Sequence, residues 1–409
     1  MNQGENPGKR ENNGTRKRSF SCVKTTCTFV GSVAGAGFLS GRELLVFFGG
    51  FRIFPLFAGG VAFFFGFYLF LRLGAEYGGF DGVIAAIFGR KISKAVRASS
   101  LYCSFCVGTA MLAAANASYP RFKPFFVALL IVFAVFFTRK GVASLGAFNA
   151  VFTPVLIFFV VGCLCGNGAF SAPEHTGVLR GVSDMFSALV YAGMNVFSVM
   201  PSACDFGATG AECGAENPEH FENRAENTRT KTRITGLSGI ENGEQQRRNG
   251  IFLLVASLSA ALLCALSALI LSVLGSDKSS YSYPLPLEKI LGGNGIVSAL
   301  SAVGTAVTFV CAFYPISKAA KKRGTGAETF SALAFCLCSF LPFEKIVKIF
   351  YPVAGVLGGG VIAYCAVFSL RKKDSAFEKK EKIEEEDFLR KGRNFRGIGT
   401  RALSRTIPR

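Results

Sequence analysis

Long apolar stretches alternate with short polar breaks along most of this chain. Ten such segments can be marked, at about 22–48, 52–73, 97–118, 122–138, 142–165, 183–204, 250–274, 294–316, 327–343 and 346–370. A helix of about 20 predominantly apolar residues crosses a bilayer core. The pattern therefore predicts an all-α polytopic membrane protein with about ten transmembrane helices. Ten crossings bring the chain back to the side on which it started. Clusters at Arg90-Lys91, Lys321-Lys322-Arg323 and Arg371-Lys372-Lys373, with the basic N-terminal tail, predict that both termini are cytoplasmic, in the cell membrane.

Two polar stretches interrupt this order. Residues 205–249 are rich in Glu, Asn, Arg, Thr and Gly and read as a flexible cytoplasmic loop. Residues 371–409 open with a mixed-charge run and end in a basic stretch, which read as a charged cytoplasmic tail. With the basic tail at 1–21, they frame a membrane core over 22–370. That core divides into a first set of five segments (22–165) and a second set (182–370).

The first span is unusual within this pattern. Gly31, Gly35, Gly37 and Gly41 break an apolar run that is long enough to cross. Glycine costs about 1 kcal/mol against alanine inside a helix in water, so the cluster favours local unwinding. Unwound backbone at membrane depth is tolerated only inside protein or along a cavity. The sixth span, which opens the second set of five, carries Gly193 and Asn195 near its middle and Pro201 farther on. Paired interruptions in matching positions of two halves point to a transporter binding site between inverted repeats. The competing reading is small-residue packing between ordinary helices. In the eighth span Ser298, Ser301, Thr305 and Thr308 recur at helical spacing on one face. Such hydroxyls either bond neighbouring backbone or supply oxygen ligands to a small cation. Arg42 and Glu43 follow the first break, with Glu43 read as a proton carrier, an amine partner or a rim charge. Asp184 is expected to cap the sixth helix.

Composition narrows the function classes. The net charge is +19, yet charged residues make up only 17% of the chain and gather in tails and loops. Membrane orientation explains that charge without a nucleic-acid partner. There are 13 cysteines, mostly inside apolar runs. The Cys103-x-x-Cys106 pair lacks a second such pair or a nearby histidine, so it reads as packing rather than a zinc site. The two histidines, His175 and His220, fall in loops. A Gly-Leu-Ser-Gly run at 236–239 resembles an intramembrane serine protease motif, but it has no membrane histidine to activate the serine. No enzyme and no cofactor are expected.

The motif from Gly31 to Glu43, Gly-Ser-Val-Ala-Gly-Ala-Gly-Phe-Leu-Ser-Gly-Arg-Glu, resembles the G-x-x-x-G-A-G-F-x-S-G-x-E start of YkvI-like membrane proteins. That group is placed in the amino acid–polyamine–organocation superfamily. The resemblance implies a LeuT-type fold, a 5+5 inverted repeat with substrate held between discontinuous helices 1 and 6. It would place Gly31, Val33, Ala34, Gly35, Ala36 and Gly37 on one wall of the site, and Gly193, Asn195, Phe197 and Ser198 on the other. It also implies a sodium site near Thr305 and Thr308; from the residues themselves, Ser301 and Glu43 are further candidates for coupling to sodium or a proton. Some proton-coupled relatives place a lysine in helix 5, and residues 142–165 contain none. The expected function is secondary transport of a small organic solute, an amino acid or related amine, by alternating access. The alternative is a non-transporting membrane sensor or a ligand- or partner-binding subunit.

Overall fold

A computed structural model of the chain describes residues 22–118, 123–167, 170–174, 178–212, 238–276, 279, 286–291, 295–372 and 374. The described residues are helical, with short turns between. The helices in order are α1 (22–33), α2 (Ala36–Leu39), α3 (Arg42–Phe48), α4 (Ile53–Tyr77), α5 (Phe80–Ser118), α6 (Lys123–Arg139), α7 (Val142–Asn167), α8 (Val178–Glu212), α9 (Ser238–Ser276), α10 (Pro286–Ile290), α11 (Gly295–Lys321), α12 (Thr325–Cys338) and α13 (Phe343–Lys372). Seven of these (α4, α5, α7, α8, α9, α11 and α13) are long and apolar enough to cross a membrane. The helices α6 and α12 are shorter and apolar, and α1 to α3 are the pieces of the first span. The chain is an all-helical, polytopic integral membrane protein. Residues 1–362 form one compact unit, and the second, 363–409, includes the last turns of α13.

Several boundaries differ from those read in the sequence. The third span is the second part of a helix that begins at Phe80 and bends at Gly89. The polar stretch expected as a loop over 205–249 is helical through Glu212 and again from Ser238, so any loop lies within 213–237, outside the described residues. The Gly236–Gly239 motif overlaps the start of α9. Asp184 does not cap α8, which begins at Val178; it lies inside the helix and pairs with Arg52.

Side-chain size explains which helices sit inside. The mid-parts of α1, α5, α8 and α11 carry small and hydroxylated residues and are buried on nearly every side. Small residues let backbones approach closely where lipid supplies no hydrophobic drive for association. By contrast α4, α7, α9 and α13 turn large side chains outward, among them Phe54, Phe57, Phe158 and Val356. The closest approaches are made by glycine. A Cβ on Gly74 of α4 would lie 2.1 Å from the Cys204 carbonyl of α8, and one on Gly207 of α8 would lie 2.1 Å from the Leu71 carbonyl of α4.

Polar contacts fasten both ends of the bundle. At one end Asp205 accepts hydrogen bonds from Tyr314 (2.7 Å), Lys318 (2.6 Å) and the Phe80 amide (3.2 Å). Beside it Asp81 pairs with Arg97 and Lys322, and Arg139 pairs with Glu328. At the other end Arg52 pairs with Asp184 and Glu174, and Arg42 with Glu344 at 2.8 Å.

Candidate functional site

The first span breaks twice. In α1 the last regular bond runs from the Ala34 amide to the Val30 carbonyl, and the Gly35 amide then reaches back only to Val33. Helical bonding resumes with the Leu39 amide on the Gly35 carbonyl. The second break is the Ser40–Gly41 turn, where Gly41 has φ +77°, a backbone shape that only glycine adopts freely. Unwinding is therefore confined to Ala34–Gly35 and Ser40–Gly41 and does not run over the whole Gly31–Gly37 stretch that the resemblance places at the site. Gly31 and Val33 are helical, Val33 and Ala34 are buried, and the side chain of Ala36 lies outside the described residues.

The glycines around the first break make room for neighbours. A Cβ on Gly31 would meet Thr153 and Asn149 of α7 and Val307 of α11 within 2.6 Å. One on Gly35 would meet Met111 of α5 at 2.4 Å and the Thr308 hydroxyl at 2.7 Å. One on Gly37 would overlap the Glu43 carboxyl. Four helices thus close on a bent backbone.

Polar side chains converge there. Thr308 donates to the Gly31 carbonyl at 2.6 Å, joining α11 to α1 just before the break. Thr305 instead donates to Ser301 of its own helix at 2.8 Å. Ser301 lines a mainly apolar cavity with Leu39, Ser40, Cys163 and Leu287, beside the second break. The described hydroxyls of the α11 stripe therefore serve different partners; the Ser298 side chain is outside the described residues. Ser100 and Thr109 of α5 are buried with no hydrogen-bond partner among the described residues.

The sixth span departs from expectation. It is one continuous helix, α8, with Pro201 inside it, so the discontinuous partner to helix 1 is not observed. Gly193 serves packing instead. A Cβ there would lie 2.9 Å from the Gly355 carbonyl of α13. Asn195 bonds the Tyr191 carbonyl one turn back, Ser198 bonds the Asn195 carbonyl, and Phe197 is fully buried beside Gly358. The helix-making side therefore won at Gly193, because α13 needs its missing side chain.

Glu43 emerges as the best-defined polar group near the break. It is 2% exposed. Its two oxygens accept hydrogen bonds from Tyr191 of α8 (3.2 Å) and Tyr351 of α13 (3.1 Å). Neither tyrosine was singled out in the sequence, where 148 and 308 residues separate them from Glu43. Arg42 turns elsewhere, to Glu344. Cys103 and Cys106 are free thiols in α5, and Cys103 donates to the Met194 carbonyl at 3.3 Å. Among the described residues no group of His, Cys, Asp and Glu could hold a metal ion.

No protein-family model matches the chain, and no curated protein matches it. Among solved structures it is similar to a manganese transporter from Eremococcus coleocola in complex with an aromatic bis-isothiourea substituted compound. That likeness has TM-score 0.44 at 13% identity, covering 91% of this chain and 74% of the other. It is also similar to Mhp1, a nucleobase-cation-symport-1 family transporter in a closed conformation with bromovinylhydantoin bound. There the TM-score is 0.42 at 13% identity, covering 85% of this chain and 74% of that one. At such identity and TM-scores neither likeness fixes a function for this chain.

Proposed function

We propose that this protein is a secondary transporter of a small organic solute, an amino acid or related amine, working by alternating access. The observation that supports this reading is the broken, buried first span. A helix interrupted twice inside a bundle exposes backbone polar groups only where neighbouring polar groups or a ligand answer them. Here Thr308 of α11 meets the Gly31 carbonyl just before the first break, and Tyr351 of α13 and Tyr191 of α8 meet Glu43 just after the second. Buried hydroxyls without a partner among the described residues, such as Ser100 and Thr109, invite a polar ligand or water. In this reading Ala34–Gly35 and Ser40–Gly41 are the flexing points, and α8 and α13 form a packed wall.

Cation coupling is part of the proposal. The Gly31 carbonyl and the Thr308 hydroxyl already lie together and are oxygen groups of the kind a sodium ion takes. Counterflow of radiolabelled amino acids and amines into proteoliposomes, with and without a sodium gradient, tests the reading. Uptake of one solute above protein-free vesicles supports it. Binding with no counterflow of any solute would favour a sensor instead.

A further inference from the structure

A carboxyl group buried among membrane helices is costly as an ion unless a cation or several donors compensate it. Glu43 has no ion-pair partner among the described residues; its oxygens meet only the hydroxyls of Tyr191 and Tyr351. The surroundings are aromatic, with Phe47 5.2 Å from the Tyr191 ring and 6.4 Å from the Tyr351 ring, centroid to centroid. The remaining titratable groups nearby are few. Arg42 precedes it on α3 but pairs with Glu344 of α13, and the Cys106 thiol of α5 lies near Tyr351. Gly37 of α2 leaves the space that the carboxyl fills.

The geometry points to a proton-binding site formed by Glu43, Tyr191 and Tyr351, whose occupancy governs how firmly α3 is clasped to α8 and α13. A phenol is both donor and acceptor. With Glu43 ionised, both tyrosines donate to it. When a proton arrives from water, an O–H bond forms on one carboxyl oxygen and one tyrosine turns from donor to acceptor, while the other still donates. Two neutral phenol donors only partly offset the cost of holding the ion among aromatic rings, so the ionised group is drawn toward water and α3 carries it there. Arg42–Glu344 and Glu43–Tyr351 clip α3 to the first turns of α13, on either side of a π-helical turn at Ile346–Phe350. Pro352 sits two residues after that turn and offers no amide to the turn before it. The proton site stands by itself; only its use for coupling rests on the transporter reading.

Difference infrared spectra of the full-length protein in lipid, recorded across a pH series, test it. Acidification should raise the carbonyl band of a protonated carboxylic acid that Glu43→Gln lacks. Tyr351→Phe and Tyr191→Phe should each move that band in frequency, because one hydrogen bond to the carboxyl is gone. Amide exchange adds the clasp: protection factors over α3 should fall as the band is lost in the wild type and stay constant in Glu43→Gln. Superimposable wild-type and Glu43→Gln difference spectra would overturn the site. So would a band unmoved in both tyrosine variants, which still answer the question where Glu43→Gln fails to fold. Equal pH dependence of α3 protection in wild type and Glu43→Gln would overturn the clasp. None of these readouts needs a transported solute, so a failed transport assay leaves them standing.

Discussion

Gly355 of α13 offers the sharpest test of how the bundle is held. A methyl group there would lie 2.3 Å from the Val190 carbonyl and 2.5 Å from the Val190 side chain. Real Cβ contacts essentially never fall below 3.0 Å, so the α8–α13 pair must part by about 0.7 Å. The obstacle is partly backbone, which cannot rotate aside. A gap of about 0.5–1 Å forfeits a quarter to a half of each contact's dispersion energy. Overpacking of this kind costs about 1–3 kcal/mol. That converts to roughly a 5- to 150-fold shift in the unfolding equilibrium of Gly355→Ala. Gly360 on the same helix has nothing within 4 Å of its missing Cβ, so Gly360→Ala should leave stability at or above the wild type. Equilibrium unfolding in mixed detergent micelles, followed by circular dichroism, compares the two. Equal midpoints for Gly355→Ala and Gly360→Ala would refute close packing at this crossing.

Three further outcomes follow from the contacts described. Thr308→Val removes the hydroxyl that meets the Gly31 carbonyl, and should weaken any sodium dependence of solute binding about tenfold or more in a thermal-shift titration; identical dependence would remove Thr308 from the site. Gly35→Ala sets a methyl group 2.7 Å from the Thr308 hydroxyl and should lower solute affinity more than it lowers thermal stability; unchanged affinity would dissociate the first break from binding. Asp205→Asn loses the charge that holds Lys318 at 2.6 Å, and should cost about 1.5–3 kcal/mol of stability by micelle unfolding; a loss under about 0.5 kcal/mol would make that ion pair ornamental.

Much of the architecture was legible because hydrophobic length is a direct record of membrane thickness. Each of the ten apolar segments has a helical counterpart, and the break in the first span is where its glycines cluster. The sixth span shows where such reading fails. Glycine weakens a helix and also lets two helices touch, and one sequence cannot say which use prevails. At Gly35 and Gly41 the chain turns; at Gly193 it packs on Gly355 and Gly359. The stripe from Ser301 to Thr308 had the right face; Thr308 bonds the first span, whereas Thr305 bonds its own helix. Glu43 was visible as a charge in the first span whose place, interior or rim, stayed open. Its partners were not, because Tyr191 and Tyr351 come to it through tertiary contacts that no local spacing encodes.

The helix α3 has a left-handed glycine at each end, Gly41 at φ +77° and Gly49 at φ +68°. Seven residues between two such joints make a rod about 10 Å long. The rod keeps its shape while its joints absorb rotation. Any motion that lifts it is a swing of fixed radius rather than a melting of structure. Arg42 and Glu43 sit at one joint and Phe47 and Phe48 at the other, so a rotation about Gly49 sweeps the charges farthest and one about Gly41 sweeps the rings. A lever with its charges at one end and its aromatic bulk at the other converts the release of a charge into the displacement of a packed surface.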